Sequence, residues 1–199
     1  MLNYEQENFK NKLIAGCDEV GRGCVAGPLV AACVIFPIDY KNDFINDSKK
    51  LTSKKRNELF EQIKKDALDY CIIERSVEEI NNSNPKKESQ IAMELCIKSL
   101  KVTPEHVLTD FEKISINIDQ TNLVKGDEKS INIAAASILA KVYRDNLMIK
   151  IDKKYPLYDF KSHKGYLTKK HKEVLEKYGV ITGLYRIKYK PIAKMNKSK

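Results

Sequence analysis

Two adjacent acids, Asp18 and Glu19, stand directly in front of a glycine-rich stretch, and the whole segment reads IAGCDEVGRGCVAG from Ile14 to Gly27. Carboxylates placed this way suit hard divalent cations such as Mg²⁺, which take one or two acid oxygens and complete their shell with water and substrate phosphate. Successive strand residues point to opposite faces, so the pair can share a site only where a strand ends. Val20-Gly21 is such an ending. The glycines let bare backbone approach a ligand, and Arg22 offers a planar fork for phosphate. The glycine spacing also suggests a dinucleotide loop, but such a loop leads into a helix whose N-terminus holds pyrophosphate. Here it leads into PLVAACVIF, Pro28 to Phe36, which is β-prone. The two acids would also repel phosphates by about 1 kcal/mol or more per close pair.

A two-metal phosphodiester site needs ions ~3.5–4 Å apart, and hence three or four carboxylates brought from separate elements. Asp110 closes the apolar run VLTD, where a parallel strand delivers an acid to the ligand edge of a sheet. Asp127 lies in KGDEKS, Lys125 to Ser130, just before a long helical pattern. On spacing alone Glu128 or Asp119 serves nearly as well, and the residues themselves do not choose.

The elements that must carry these acids read as a mixed-sheet α/β domain. Leu13 to Cys17, Leu29 to Phe36, Cys71 to Val77 and Val107 to Asp110 are short β-prone runs, and ISINIDQ, Ile114 to Gln120, alternates like a half-buried strand or extended segment. Thr52 to Tyr70 repeats apolar residues at Leu59, Ile63 and Ala67 behind a Thr or Ser cap, and reads as a helix. Pro85 to Leu100 places proline in a first turn. Ser130 to about Lys150 carries the small residues of INIAAASILA, which allow close packing under a sheet. Thr168 to Tyr178 is a last helix, stopped by Gly179.

Composition bounds the rest. The 199 residues and 42% hydrophobic content supply a substantial core. Five scattered cysteines read as buried thiols in a reducing compartment. The longest apolar run, Cys24 to Ile38, is short and holds two prolines, so neither a membrane span nor a signal peptide is expected, and the expected address is the cytoplasm. Net charge is +9, and from Lys161 to Lys199 there are 12 basic and two acidic residues, so the whole excess lies there. Tyr166, Tyr178, Tyr185 and Tyr189 interleave with those cations, as on a surface that neutralises phosphates and packs against sugars or bases. No break in composition occurs before about Tyr155, which sets expected units of 1–155 and 156–199.

Five motifs in order resemble those of the bacterial ribonuclease HII family: DEVGRG (Asp18 to Gly23) with AGPLVAA (Ala26 to Ala32), DSKKL (Asp47 to Leu51), the Asp of VLTD (Asp110), GDEKSINIAAASILAKVYRD (Gly126 to Asp145), and HKGYLTKKH (His163 to His171). The resemblance spans roughly Ile14 to Ile192. It implies a ribonuclease H-like fold, a mixed five-stranded sheet flanked by helices, with a basic C-terminal helical appendage. It implies an endonuclease, acting as a monomer with Mg²⁺ or Mn²⁺, that cuts 5′ to a ribonucleotide in RNA/DNA hybrids and in ribonucleotide-containing duplex DNA, leaving 3′-OH and 5′-phosphate. The metal-binding and catalytic carboxylates it implies are Asp18, Glu19, Asp110 and Asp127. Gly21, Arg22 and Gly23 match the loop that contacts the 2′-OH, Tyr166 the ring that packs on the deoxyribose beyond the junction, and Lys49 a lysine near the backbone phosphates.

The chain departs from the family in two places. Tyr185 stands where a histidine is usual, in YRIKYKP (Tyr185 to Pro191), which leaves the docking of the tail open. Asn84-Pro-Lys-Lys-Glu-Ser89 replaces a more apolar pattern, which weakens any role for Asn84 at the RNA strand. His163 and His171 read as surface or phosphate-adjacent groups. The noncatalytic rival is a nucleic-acid-binding module that uses the basic tail alone.

Overall fold

The computed structural model describes residues 2–46 and 48–197; Asp47 of the DSKKL motif and the last two residues of the basic tail lie outside the described residues. Five strands form one sheet: β1 (Ile14–Val20), β2 (Leu29–Ile35), β3 (Asp69–Arg75), β4 (His106–Asp110) and β5 (Gln120–Leu123), in the order β3-β2-β1-β4-β5. β1, β2 and β3 pair antiparallel, whereas β4 and β5 add parallel to β1. The helices are α1 (Tyr4–Asn8), α2 (Ser53–Asp66), α3 (Val77–Asn82), α4 (Pro85–Ser99), α5 (Ile131–Lys154), α6 (Phe160–His163), α7 (Lys169–Tyr178) and α8 (Lys190–Lys197).

Strand β2 is buried along its whole length because both its faces are covered. Val30, Ala32 and Val34 pack with Leu59 and Ile63 of α2 and with Ala135, Ile138 and Leu139 of α5. Leu29, Ala31, Cys33 and Ile35 point the other way, onto Ala92, Met93 and Cys96 of α4. The cysteines are free, and four of the five are buried.

Helix α5 is the main support of the sheet's middle. Ser130 caps it by accepting the Ile133 amide at 3.1 Å. The buried carboxylate of Glu5 accepts the Ser130 hydroxyl at 2.5 Å and the Asn132 amide at 3.1 Å, a negative group at the positive end of the helix dipole. That contact explains α1, which carries too few residues to announce itself in the sequence.

ISINIDQ does not form a strand: only Gln120 belongs to β5, and Ile114, Ile116 and Ile118 lay their side chains against the α4-side core from an irregular segment. Val77 begins α3 rather than ending β3, because Ser76 and Glu79 close a reciprocal capping box there. After α5, a third apolar cluster joins Val25, Ala26 and Met148 to Phe160, Leu175, Tyr185 and Ile192, so the C-terminal segment packs onto the end of α5 and the glycine loop. Among the described residues no helix is long and apolar enough to cross a membrane.

Candidate active site

The carboxyl ends of β1, β4 and β5 meet at one edge of the sheet. Ile14 pairs with His106 and Cys17 with Thr109, so the next residues along, Asp18 and Asp110, sit at one level on adjacent parallel strands. In sheets of this kind ligands bind beyond such ends.

Asp18 is buried and accepts the Glu19 amide at 2.7 Å. It is also hydrogen-bonded to Ser137 of α5, whose hydroxyl lies 3.0 Å from that of Ser48 in the DSKKL motif. Burial, then the negative charges of Glu19 and Asp110, push the Asp18 carboxyl well above the usual range. Glu19 is pushed up to about 7: burial raises it, Arg22 pulls it back, and Asp110 and Glu112 add to the rise. Carboxylates crowded at a desolvated edge are poor neighbours for one another as anions, and a cation among them relieves the repulsion. The donors are all oxygen, which selects a hard divalent ion. Among the described residues no three His, Cys, Asp or Glu side chains form a group that could enclose an ion by themselves. Mg²⁺ is held by as few as one or two carboxylates and completes its shell with water and phosphate oxygens.

Asp127 lies in a single 3₁₀ turn, Gly126–Glu128, directly after β5. Asp110 Oδ1 accepts the Gly126 amide at 2.8 Å and so fastens that turn to the same edge. Asp127 is buried, with Lys49 Nζ 3.2 Å from its Oδ2. Glu128 pairs instead with Lys50 at 3.1 Å and Lys125 at 3.8 Å. Asp119 precedes β5 and thus stands at the opposite end of that strand. Of the three acids, Asp127 is the buried one, whereas Glu128 and Asp119 are exposed. Lys49 itself is 79% exposed along its side chain and reaches Asp127 from the DSKKL segment.

Arg22 is held between acids: its Nη1 is 2.7 Å from Glu112 Oε1 and 3.7 Å from Glu19 Oε1. Glu112 is buried, its Oε2 lies 3.6 Å from Lys86 Nζ, and its carbonyl accepts the Thr109 hydroxyl and the Asn122 side chain. Glu112 carries only a faint signal in the sequence, a second acid two residues past the strand-end Asp110. Gly21 adopts φ +90°, and a Cβ there would collide with the guanidinium of Arg144. On the other side of the loop nothing lies within 4 Å of the direction a Gly23 Cβ would take, so its backbone is open to a ligand.

Tyr166 is 44% exposed and its hydroxyl reaches the Cys24 thiol, which places the ring beside the glycine loop. The preceding Gly165, at φ +87°, accepts the Val25 amide at 3.0 Å in a spot where a Cβ would strike the Ala26 carbonyl. His163 and His171 are not surface groups. Both are buried, their rings stacked 3.8 Å apart at 10°. The Gly165 amide donates to His163 Nδ1, so His163 carries its proton on Nε2, facing the Tyr158 carbonyl at 2.8 Å. His171 Nδ1 faces the Tyr166 carbonyl at 2.8 Å and must donate; in the neutral ring its Nε2 accepts the Tyr185 hydroxyl, also at 2.8 Å. Tyr185, in place of the usual histidine, is thus buried and hydrogen-bonded, and the tail docks around it.

The family model described as Ribonuclease HII matches residues 15–192. The chain belongs to the ribonuclease HII family. It is 53% identical over 186 residues to a ribonuclease HII of Clostridioides difficile (92% of this chain, 72% of the relative). It is 48% identical over 189 residues to one of Mycoplasma mycoides subsp. mycoides SC (92% and 89%). A crystal structure of ribonuclease H2 from Pyrococcus horikoshii superposes with a TM-score of 0.79 at 26% identity, covering 94% of this chain and 98% of that one. With the ribonuclease HII family comes the enzyme class, a metal-dependent endonuclease of the ribonuclease H type. The ribonuclease H-like fold read from the motifs is the fold observed, with its five-stranded mixed sheet.

Proposed function

We propose that this chain hydrolyses the phosphodiester bond 5′ to a ribonucleotide, in RNA/DNA hybrids and at single ribonucleotides within duplex DNA, leaving 3′-OH and 5′-phosphate ends. The observation that carries the reading is the meeting of Asp18, Glu19 and Asp110 at one sheet edge, directly before a glycine loop whose backbone is open at Gly23.

Asp18, Glu19, Asp110 and Asp127 would hold two divalent ions, Mg²⁺ or Mn²⁺. When bound, such ions lower the pKa of an attacking water and stabilise charge on the leaving 3′ oxygen. The protein's own residues do the selecting. Backbone groups of Gly21, Arg22 and Gly23 hydrogen-bond the 2′-OH, the one group that marks RNA at a given sugar. The Tyr166 ring packs on the neighbouring sugar and favours one without a hydroxyl. Glu112 holds the Arg22 guanidinium at 2.7 Å and keeps its charge beside Glu19, 3.7 Å away. Lys49, exposed and 3.2 Å from Asp127, meets a backbone phosphate in this reading. Residues 1–155 act as the catalytic unit and 156–199 as a basic appendage that follows the duplex, and the enzyme works as a cytoplasmic monomer.

The reading is tested by incubating the protein with duplex DNA holding one ribonucleotide, beside a plain RNA/DNA hybrid, with Mg²⁺ and with EDTA. Cleavage of both substrates 5′ to ribose, abolished by EDTA, is the expected result. Binding without cleavage in Mg²⁺ and in Mn²⁺ would leave only a nucleic-acid-binding module.

A further inference from the structure

The glycine loop is open on its ligand side, so what fixes it must lie behind it. Two guanidinium groups do, and both are fully buried. Arg144 of α5 donates to the carbonyls of Pro28 at 2.8 Å, Lys164 at 2.9 Å and Ala26 at 3.3 Å, and its Nε backs onto Gly21. Arg186, from the segment between α7 and α8, donates Nε and Nη2 to the Gly27 carbonyl at 3.1 and 2.9 Å. Its Nη1 donates to the Arg22 carbonyl at 3.0 Å and to the Tyr189 hydroxyl at 2.9 Å. Tyr189 completes the triangle: its hydroxyl donates to that same Arg22 carbonyl at 2.6 Å.

A buried guanidinium is costly unless its N–H groups are met. Here they are met by main-chain oxygens of the glycine loop, by the Lys164 carbonyl and by a hydroxyl. Apolar packing would have secured the chain's end at lower cost in desolvation. The two donors on the Arg22 carbonyl instead fix the orientation of one peptide plane, the one between Arg22 and Gly23, in the middle of the loop.

We propose that Arg186 and Tyr189 are positioning residues for the glycine loop. They hold the Arg22–Gly23 peptide from behind, so that its amide stays aimed at the 2′-OH of the ribonucleotide. The proposal rests on the reading of the loop given under Proposed function. It assigns the last 15 or so residues of the catalytic assembly a part in substrate selection distinct from their charge, because neither contact involves phosphate.

The test uses the full chain with Tyr189→Phe, which keeps the ring in the two apolar clusters it touches and removes only the hydroxyl. Arg186→Lys, which retains one cationic donor, is the second variant. Two readouts are taken: hydrogen exchange of the Gly21–Cys24 amides, and steady-state cleavage of duplex DNA with one ribonucleotide in Mg²⁺. The expected result for Tyr189→Phe is faster exchange confined to the loop, kcat about tenfold lower and KM within twofold of wild type, with Tm nearly unchanged. Arg186→Lys should fall on the same side, with a larger loss of kcat. Unchanged loop exchange, or kcat and Tm falling together while KM rises, as for a general packing defect, would overturn it. A wild-type chain that leaves the ribonucleotide duplex intact would instead overturn the functional reading, whereas loop exchange reports on positioning in either case.

Discussion

Asp110 Oδ1 accepts the amide of Gly126 at 2.8 Å. One oxygen of the strand-end acid thereby anchors the turn that carries Asp127, so the placement of Asp127 depends on Asp110. Asp127→Asn keeps the shape of the side chain and its reach to Lys49 but removes the charge. Turnover is expected to fall by about a hundredfold or more, with substrate affinity within a few-fold of wild type. Separate measurement of kcat and of duplex binding in Ca²⁺ checks this; ordinary turnover would remove Asp127 from the site.

Arg22 and Glu112 act as a pair across 2.7 Å, one half-buried at the loop and one buried. Glu112→Gln should free the guanidinium and lower kcat/KM by about tenfold. Because the effect runs through Arg22, adding Glu112→Gln to Arg22→Ala should cost little beyond Arg22→Ala alone, a coupling of the kind seen between residues in contact. Additive losses in the double-mutant cycle would show that Glu112 acts elsewhere.

Much of this site was legible in the residues. Asp18 and Asp110 stand at the ends of short apolar runs, and Thr52, Ser130 and Thr168 cap the helices that the apolar spacing outlined. Pro85 occupies the first turn of α4 as its rigid φ allows. What stayed hidden depends on tertiary contacts. His163 and His171 are eight residues apart in a lysine-rich segment, and only the return of Tyr185 onto them converts two polar residues into a buried stack. ISINIDQ alternates like a half-buried strand or extended segment, and its isoleucines do reach the core, yet it pairs with no strand before Gln120, whose side chain bonds both the amide and the carbonyl of Ile114. Nothing in the sequence around Arg144 and Arg186 marks them as buried. They are buried because glycines at 21 and 27 leave room and carbonyls to receive them.

The histidine stack predicts a pH dependence. Burial, with a contribution from the neighbouring His163, pushes His171 down to about 4, although its bond to the Tyr166 carbonyl opposes the shift. The folded state therefore binds this proton less readily than the unfolded chain. The contribution of neutral His171 to stability is complete above the ordinary histidine value of ~6.5 and is lost progressively as pH falls from there toward 4. Thermal unfolding between pH 7.5 and 4.5 should show a Tm that drops more steeply for wild type than for His171→Gln. Parallel curves would mean that the ring is protonated in the fold.

The basic appendage must be tested by charge, not by truncation, since Tyr185, Arg186 and Ile192 are part of the core and their loss would unfold the loop's support. Lys169, Lys177 and Lys188 are exposed. Replacing all three with alanine should leave Tm near the wild-type value and flatten the salt dependence of duplex binding, by up to about 0.9 in log–log slope for each phosphate contact removed. An unchanged slope would place the duplex on another face.

The central claim is that acids from separate strands hold divalent ions beside a loop that recognises ribose. It is tested most directly by measuring binding and cleavage separately for Asp18→Asn and Asp110→Asn, on duplex DNA with a single ribonucleotide. The account predicts cleavage reduced by about a thousandfold or more in each variant, with affinity for the duplex within a few-fold of wild type and the 2′-OH still required for tight binding. Cleavage at the wild-type rate in either variant would contradict it.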